Sequence, residues 1–284
     1  MLRNKSVSNQ ATNILINILF AVFIGLLMMP IVFMFSASFM KSSEIFRMPY
    51  RWIPKDFFMK NYYNAVTDYG KNYTFLRTVM NSLIVALSTT ILSVLVSSFA
   101  GYGLSKFTFK GQKIVFLMIM GRMMIPFEAI MIPMYMIAIS LHLQNTYTGL
   151  VLPFVLNTFG VFQMRQYLLS FPDEMLDAGR IDGLGEFRLF KHLVFRNSTP
   201  AIATAAILCF RGQWDNLLWP LLLSQKEVMK TIPAYLVKFT EEKYADEGAM
   251  MAVAMMASIP IIVLFLSLSK YFLGGNVMFS SSKE

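Results

Sequence analysis

The sequence predicts an all-α membrane protein with six transmembrane helices, and three observations carry that expectation. The 284 residues are 56% hydrophobic and only 14% charged, with a mean hydropathy of +0.55, which is too apolar for an ordinary soluble domain. Charge-free runs of membrane length recur along the chain. Between two of them lies one dense, amphipathic, charged stretch, DEMLDAGRIDGLGEFRLFKHLVFRNSTP, at residues 173–200. A hydrocarbon core of about 30 Å takes roughly 20 apolar helical residues to cross, because lipid offers the backbone no hydrogen-bond partner. Counting such runs gives the architecture.

The first run extends from about Ile14 to Phe39, inside a segment without charge between Lys5 and Lys41. A signal peptide has an apolar region of only about 7–15 residues, so a retained first helix is expected. The second runs from Thr78 to Ser105, between Arg77 and Lys106. The third follows Lys113 to about Met136 and carries Arg122, Pro126 and Glu128; the proline kinks it and puts the two charges on different faces, with no pairing between them. The fourth covers about Gly149 to Met164, the fifth Thr199 to Leu223, and the sixth Gly248 to Ser269. An even number of spans leaves both termini on one side.

The basic residues of the short loops orient the bundle. The connection at 105–113 carries Lys106, Lys110 and Lys113, whereas the facing one at 137–147 carries only His142, which favours cytoplasmic N- and C-termini. The formal net charge of +9 is spread along loops beside anionic lipid, and no basic cluster with interleaved aromatics marks a nucleic-acid groove. Cys209 stands alone, and His142 and His192 lack ligand-spaced partners, so no metal centre is expected. The chain has no P-loop, GxGxxG, GxSxG or HExxH pattern. ATP hydrolysis and a bound cofactor are therefore not expected of this chain, and a membrane enzyme is disfavoured because no His, and no Ser with a recognisable base, lies inside a predicted transmembrane helix.

The charged loop, about 170–198, has the size of a small helical hairpin. Ser170, Pro172 and Asp173 read as a helix start, giving a helix through Met175, Leu176, Ala178 and Ile181. Gly183 permits a tight turn. A second helix is expected to carry Leu184, Phe187, Phe190 and Val194 on one stripe opposite Arg188, Lys191 and His192. That stripe suits either an interfacial helix in the headgroups or a docking element for a cytoplasmic partner.

At these residues the sequence resembles the integral-membrane permease subunits of bacterial ABC importers, in the maltose-type carbohydrate branch. The family's cytoplasmic signature, approximately E-A-A-x-x-D-G-A with a later proline, is matched by Asp177-Ala178-Gly179-Arg180-Ile181-Asp182-Gly183-Leu184 and by Pro200. It departs at Asp177, Gly179, Leu184 and at Phe195-Arg196, where the family has Leu-Pro. Further matches are Trp52-Ile53-Pro54, Asn61-Tyr62, Asn81-Ser82, Gly101-Tyr102, Phe109-Lys110-Gly111, Ile125-Pro126, Ile132-Pro133, Trp214-Asp215 and Trp219-Pro220-Leu221. The tail Ser280-Ser281-Ser282-Lys283 is similar to a G-S-V-K ending.

The resemblance implies a type I importer permease in a bacterial cell membrane, organised as an N-terminal tail, first helix and external segment (1–76), a permease core (77–272) and a cytoplasmic tail (273–284). It implies a second permease subunit, two ATP-binding subunits that use ATP and magnesium, and an extracytoplasmic sugar-binding protein as partners. The implied ATPase-coupling patch is Asp177, Ala178, Gly179, Asp182, Gly183 and Leu184, flanked by Phe187 and Phe190, for which packing inside the subunit is the alternative. Charges within the bilayer are costly and face protein or water. Arg211 and Asp215, four apart, either pair with each other or line a sugar path with Trp214; Trp219 is expected to anchor at the outer interface. The rival function is a secondary transporter, which should show internal pseudo-repeats and needs no docking loop.

Overall fold

The computed structural model describes residues 3–49, 51–67, 74–240 and 246–274, and all regular structure among them is helical. The expected tail at 273–284 lies outside the described residues from 275 onward. Three of the described helices are long and apolar enough to cross a membrane alone, and three sharply bent helix pairs bring the number of candidate spans to six. The chain divides into two compact units, 1–72 with 238–256, and 73–237 with 257–284.

In the first unit, helix α1 (Arg3–Ala37) carries a membrane-length segment, Thr12–Ala37, which the chain itself leaves uncovered until Ser36 and Ala37 at its end. Leu19, Phe20 and Phe23 stand outward at about 60% exposure, so apolar side chains face all directions. Helices with that pattern are covered by lipid or by another chain. The end of α1 is tied down by polar groups. Asn61, on α3 (Lys60–Thr67), donates through Nδ2 to the carbonyls of Ser38 (2.9 Å) and Met40 (2.6 Å), while the Ser38 hydroxyl meets that of Tyr62 at 2.8 Å. Short helix α2 (Ser42–Ile45) adds Ile45 to a small core with Ala37 and Met40. The final helix begins at Glu247, and Asp246 caps it, accepting from the Ala249 N–H (3.0 Å) and the Ser42 hydroxyl (2.7 Å).

The second unit is built around α4 (Thr74–Lys106), whose 33 residues extend for roughly 50 Å at the helical rise. Its buried side is a row of small residues: Ser82, Ala86, Thr90, Ser93, Ser97 and Gly101. Without a hydrophobic driving force between helices in lipid, close backbone approach over small residues is what holds them together. Gly101 accordingly lies against Met164 and Arg165, and Ser97 against Gly160, both on α8 (Thr158–Leu169). The third predicted span is not kinked but turned through a corner: α5 (Gln112–Met123) and α6 (Phe127–Ser140) meet at 99°. Pro126 has extended backbone, so both it and the residue before it are lost to the helix. The freed Ile125 carbonyl accepts from Arg122 Nη1 at 3.2 Å.

The fourth span is likewise two pieces, α7 (Tyr147–Val151) continuing as a 3-10 turn through Phe154, then α8, bent by 43°. Thr146 and Asn157 supply the side-chain caps, accepting from Gly149 N (3.1 Å) and Gly160 N (3.0 Å). Ser170, expected to start the next helix, instead ends α8, its hydroxyl donating to Tyr167 O. The charged loop folds as α9 (Asp173–Ile181) and α10 (Glu186–Leu189), the latter running into π-wound residues Phe190–Phe195.

The fifth predicted span stops early. Helix α11 (Thr199–Trp214) ends at Asp215, and α12 (Leu218–Leu223) restarts with Asn216 Oδ1 accepting from Trp219 N at 3.4 Å. Beyond α12 the chain is stapled to α4: Asn81 Nδ2 donates to Val228 O and Lys230 O, both at 2.9 Å, while Asn81 Oδ1 accepts from the Tyr147 hydroxyl (2.6 Å). Ser82 Oγ accepts from Ile232 N (2.8 Å) at the start of α13 (Ile232–Val237). The Asn81-Ser82 pair is thus a fastener for an irregular segment whose backbone groups would otherwise be unpaired. The last helix, α14 (Glu247–Gly274), runs through both units.

Candidate functional site

The hairpin at 173–198 is held from below and bare on top. Helix α9 is amphipathic: Leu176 and Gly179 are buried, while Asp177, Ala178, Ile181 and Asp182 are exposed. Its end is a Schellman turn, with Gly183 N donating to Arg180 O and Leu184 N to Gly179 O, each at 3.0 Å. The turn requires a left-handed residue, and Gly183 supplies it at φ +77°. A Cβ on Gly183 would meet nothing within 4 Å, so its backbone rather than its lack of bulk is what the turn needs. Gly179 has the opposite reason: a Cβ there would stand 2.4 Å from Leu189 Cδ2 and 3.2 Å from Leu193 Cδ1. It lets the two arms close on each other.

The expected stripe of the second arm is rearranged. Phe190 and Val194 are buried as anticipated, but Leu189 joins them while Phe187 is 68% exposed. The π winding over Phe190–Phe195 inserts extra residue per turn and rotates the buried face. Phe190 stacks on Phe99 of α4 at 4.3 Å between ring centroids, and it shares a core with Tyr102, Met164, Leu168, Phe171, Leu176, Val194 and Ala201. Of the eight loop residues singled out from the sequence, Gly179 and Phe190 therefore face inward, Asp177, Ala178, Asp182 and Gly183 are outward, Leu184 is half-buried, and Phe187 is mostly exposed while its ring stacks on Phe99 at 6.2 Å.

Polar contacts lock the hairpin to α4. Lys106 Nζ binds both Phe171 O and Asp173 Oδ1 at 2.6 Å. The Tyr102 hydroxyl donates to Glu186 Oε2 (2.7 Å), and Arg180 bridges Glu186 Oε1 (2.9 Å) and Asp177 Oδ1 (2.8 Å). The Arg180 guanidinium, and after it the Tyr102 hydroxyl, hold the Glu186 carboxyl below the usual carboxylate range. Because the folded value is lowered, this staple is fully present above the ordinary glutamate range and is lost as pH falls through the folded value. We expect protease nicking of the loop to stay constant from neutrality down to that range and to rise below it; Glu186→Gln should flatten the profile. A wild-type profile that rises already near neutrality contradicts the assignment. Charge alone marked Arg180 and Glu186 in the sequence, but nothing local paired them with Tyr102. Met175 and Ile181, 40% and 86% exposed, were legible only as apolar members of the first helix.

A second candidate site is a polar cleft of about 420 Å³ where the broken helices meet, within the second unit. Glu128, Asn157, Gln213, Asp215 and Asn216 line it beside Phe127 and Phe154. Arg211 and Asp215 form an exposed ion pair at 3.5 Å, so of the two readings mutual pairing is present, at the rim of this cleft. Trp214 is not available to it: the indole is 2% exposed, stacks on Phe210 at 5.5 Å and donates to Ala257 O at 3.1 Å. Trp219 is no interface anchor either. It is completely buried, donates to Gly149 O at 3.0 Å and meets Phe127 and Phe154 edge-on. A larger recess of about 670 Å³ under the α5/α6 corner is lined almost wholly by aliphatic side chains and offers a polar solute few partners. Among the described residues no cluster of His, Cys, Asp or Glu is arranged to hold a metal.

Comparison with known proteins agrees with this architecture. Residues 93–274 match the family model described as binding-protein-dependent transport system inner membrane component. The chain is 34% identical over 263 residues to the arabinooligosaccharides transport system permease protein AraQ of Halalkalibacterium halodurans, covering 92% of this chain and 93% of that protein. It is 36% identical over 212 residues to AraQ of Bacillus subtilis (strain 168), covering 72% and 75%. Among solved structures, a bacterial ABC transporter involved in the import of the acidic polysaccharide alginate has a chain that superposes with a TM-score of 0.80 at 23% identity, over 93% of this chain and 98% of that one. That likeness supports the importer-permease fold, and the relatives set aside the secondary-transporter reading. A binding-protein-dependent ABC system works with a binding protein and draws on a separate ATPase component. The chain belongs to the family of multi-pass inner-membrane components of binding-protein-dependent transport systems.

Proposed function

We propose that this chain is the permease subunit of an ATP-driven sugar importer, forming half of the translocation pathway and taking its drive through the 173–198 hairpin. The sugar assignment is supported by the names of the AraQ relatives. The chain itself binds no cofactor; two ATP-binding subunits consume ATP and magnesium beneath it, a second permease completes the path, and an extracytoplasmic sugar-binding protein delivers the solute. Both termini, the cytoplasmic tail included, lie on the side of the ATPase.

One observation carries the coupling role: the hairpin is packed on one face through Leu176, Leu189 and Phe190 and leaves Ile181 and most of Phe187 exposed, the latter ring resting on Phe99 at 6.2 Å. Ile181 at 86% and Phe187 at 68% exposure project from an element that is otherwise charged, beside the small residues Ala178 and Gly183. Such a patch fits a groove on a partner, and the rigid inner face turns partner movement into helix movement, as a switch between two packings requires. In this reading Asp177, Ala178, Asp182, Gly183, Leu184 and Phe187 meet the ATPase together with Met175 and Ile181. Gly179 and Phe190 act by holding the hairpin closed.

The test is purification of the importer from its membrane with Ile181→Asp, which leaves the packed face untouched, and with Phe187→Asp, which also gives up the ring contact with Phe99. We expect the ATPase subunit to be lost from the preparation, at least tenfold, with normal permease accumulation. Gly183→Val, which forces a branched residue into left-handed backbone at about 1–2 kcal/mol, should weaken the same association. Undiminished recovery of an ATPase subunit with both aspartate variants would sink the docking assignment.

A further inference from the structure

Resting on the importer reading, we propose that the cleft at the broken helices is a charge-selective solute subsite that admits uncharged polyhydroxylated solutes and repels anionic ones, with Glu128 as its specificity-determining residue. Three breaks in the helices of the second unit meet at the cleft. Its walls come from the start of α6 after the Pro126 corner, the cap of α8, and the break between α11 and α12. Irregular backbone at membrane depth is tolerated where it lines a cavity. Exposed charge there has the same requirement, because it needs protein or water around it.

The lining has the chemistry of a hydroxyl-rich ligand. Glu128 and Asp215 offer carboxylate acceptors. Asn157 and Asn216 spend their amide oxygens as helix caps, on Gly160 N and Trp219 N, which turns their amino groups into the available donors. Gln213 contributes a buried Oε1 that accepts no hydrogen bond. Phe127 and Phe154, 5.5 Å apart and tilted, supply the apolar surface against which the C–H face of a sugar ring can lie.

The charges around the cleft do not cancel. No Lys or Arg is among the residues that line it: Arg211 faces Asp215 at the rim at 3.5 Å, and Arg122 lines the separate aliphatic recess. Glu128 has no ion-pair partner among the described residues. The lining therefore carries two carboxylates, of which only Asp215 is paired. A neutral sugar meets acceptors and donors there. A phosphorylated or uronic solute meets the Glu128 carboxylate with no cation in the lining to answer it.

The test uses the full importer in its membrane and needs neither a known sugar nor ATP. Cys209, which lines the cleft, is replaced by Ser, and Leu208, a 43% exposed lining residue, is replaced by Cys as the reporter. Labelling rates are measured with hydroxyethyl, trimethylammonioethyl and sulfonatoethyl methanethiosulfonates, each normalised to its rate on a free thiol. We expect the neutral and cationic reagents to react readily and the anionic one about tenfold more slowly than the cationic at low ionic strength, as a nearby unit charge in a partly solvated site produces. Glu128→Gln should collapse that ratio towards one, and Glu128→Lys should invert it. Equal normalised rates for all three reagents, a ratio untouched by Glu128→Gln, or a thiol that no reagent reaches would each overturn the proposal. Failure of the importer reading shows up differently, as the absence of an ATPase subunit from the same preparation, and leaves the labelling ratios intact.

Discussion

Gly101→Val should abolish accumulation of the folded subunit, whereas Gly103→Val, half a turn away on the same helix, should leave it near wild type. The difference is geometric. A Cβ added at Gly101 would sit 2.7 Å from Met164 Cβ, 2.9 Å from Arg165 N and 3.0 Å from Met164 C, whereas one at Gly103 meets nothing within 4 Å. Two of the three obstacles at Gly101 are backbone atoms, so relief requires separating α4 from α8 rather than turning a side chain. Overpacking of this kind costs about 1–3 kcal/mol, and occasionally more. It strikes the helix pair that the row of small residues exists to bring together, and total stability of a domain is itself only about 5–15 kcal/mol. The measurement is membrane accumulation together with thermal unfolding of the solubilised subunit. Equal behaviour of the two variants would refute close packing of α4 on α8 at this point.

Trp219→Ala should be the most damaging truncation in the second unit. The side chain is fully buried in a core with Val85, Leu150 and Leu223, edge-on to two phenylalanines, with its indole N–H spent on Gly149 O. Removing a buried tryptophan costs about 3–5 kcal/mol. Trp219→Phe should restore part of the packing while leaving the Gly149 carbonyl unpaired, a penalty of about 1–3 kcal/mol, so the order of stability is wild type, then Phe, then Ala. Thermal unfolding in detergent reads that order. A change below about 0.5 kcal/mol for the alanine variant, as at an ordinary surface position, would return Trp219 to the membrane interface. The same core forms one wall of the polar cleft through Phe127 and Phe154, so intermediate loss of stability should be accompanied by a change in reagent access at residue 208.

Much of the candidate site was visible before any coordinates. The hairpin's limits followed from Pro172-Asp173 and from the return of apolar sequence after Pro200, and its bend from Gly183, because each is a local backbone preference. Which side of the hairpin faces outward was not visible. The apolar spacing put Leu184, Phe187, Phe190 and Val194 on one stripe, yet π winding from Phe190 onward brought Leu189, five residues before Val194, onto the buried face, while Phe187 rests on Phe99 and stays 68% exposed. The sequence pattern assumed 3.6 residues per turn, and packing against Phe99 and Tyr102 imposed another. The polar cleft was missed for a related reason: Glu128, Asn157, Gln213 and Asn216 are scattered over three segments of the chain, and only the breaks in the helices bring them to one wall.

The number of apolar runs and the site of the charged loop were determined by the sequence alone, because burial in lipid depends on hydrophobic length and backbone hydrogen bonding within each segment. The 99° corner at Pro126, the stop of α11 at Trp214, the inward turn of Gly179 and Phe190, and the burial of Trp214 and Trp219 were decided only by the tertiary structure. In an apolar chain almost every face of every helix is compatible with lipid. Hydrophobicity therefore says that a segment crosses the membrane, and close packing over small residues decides which of its faces meets protein.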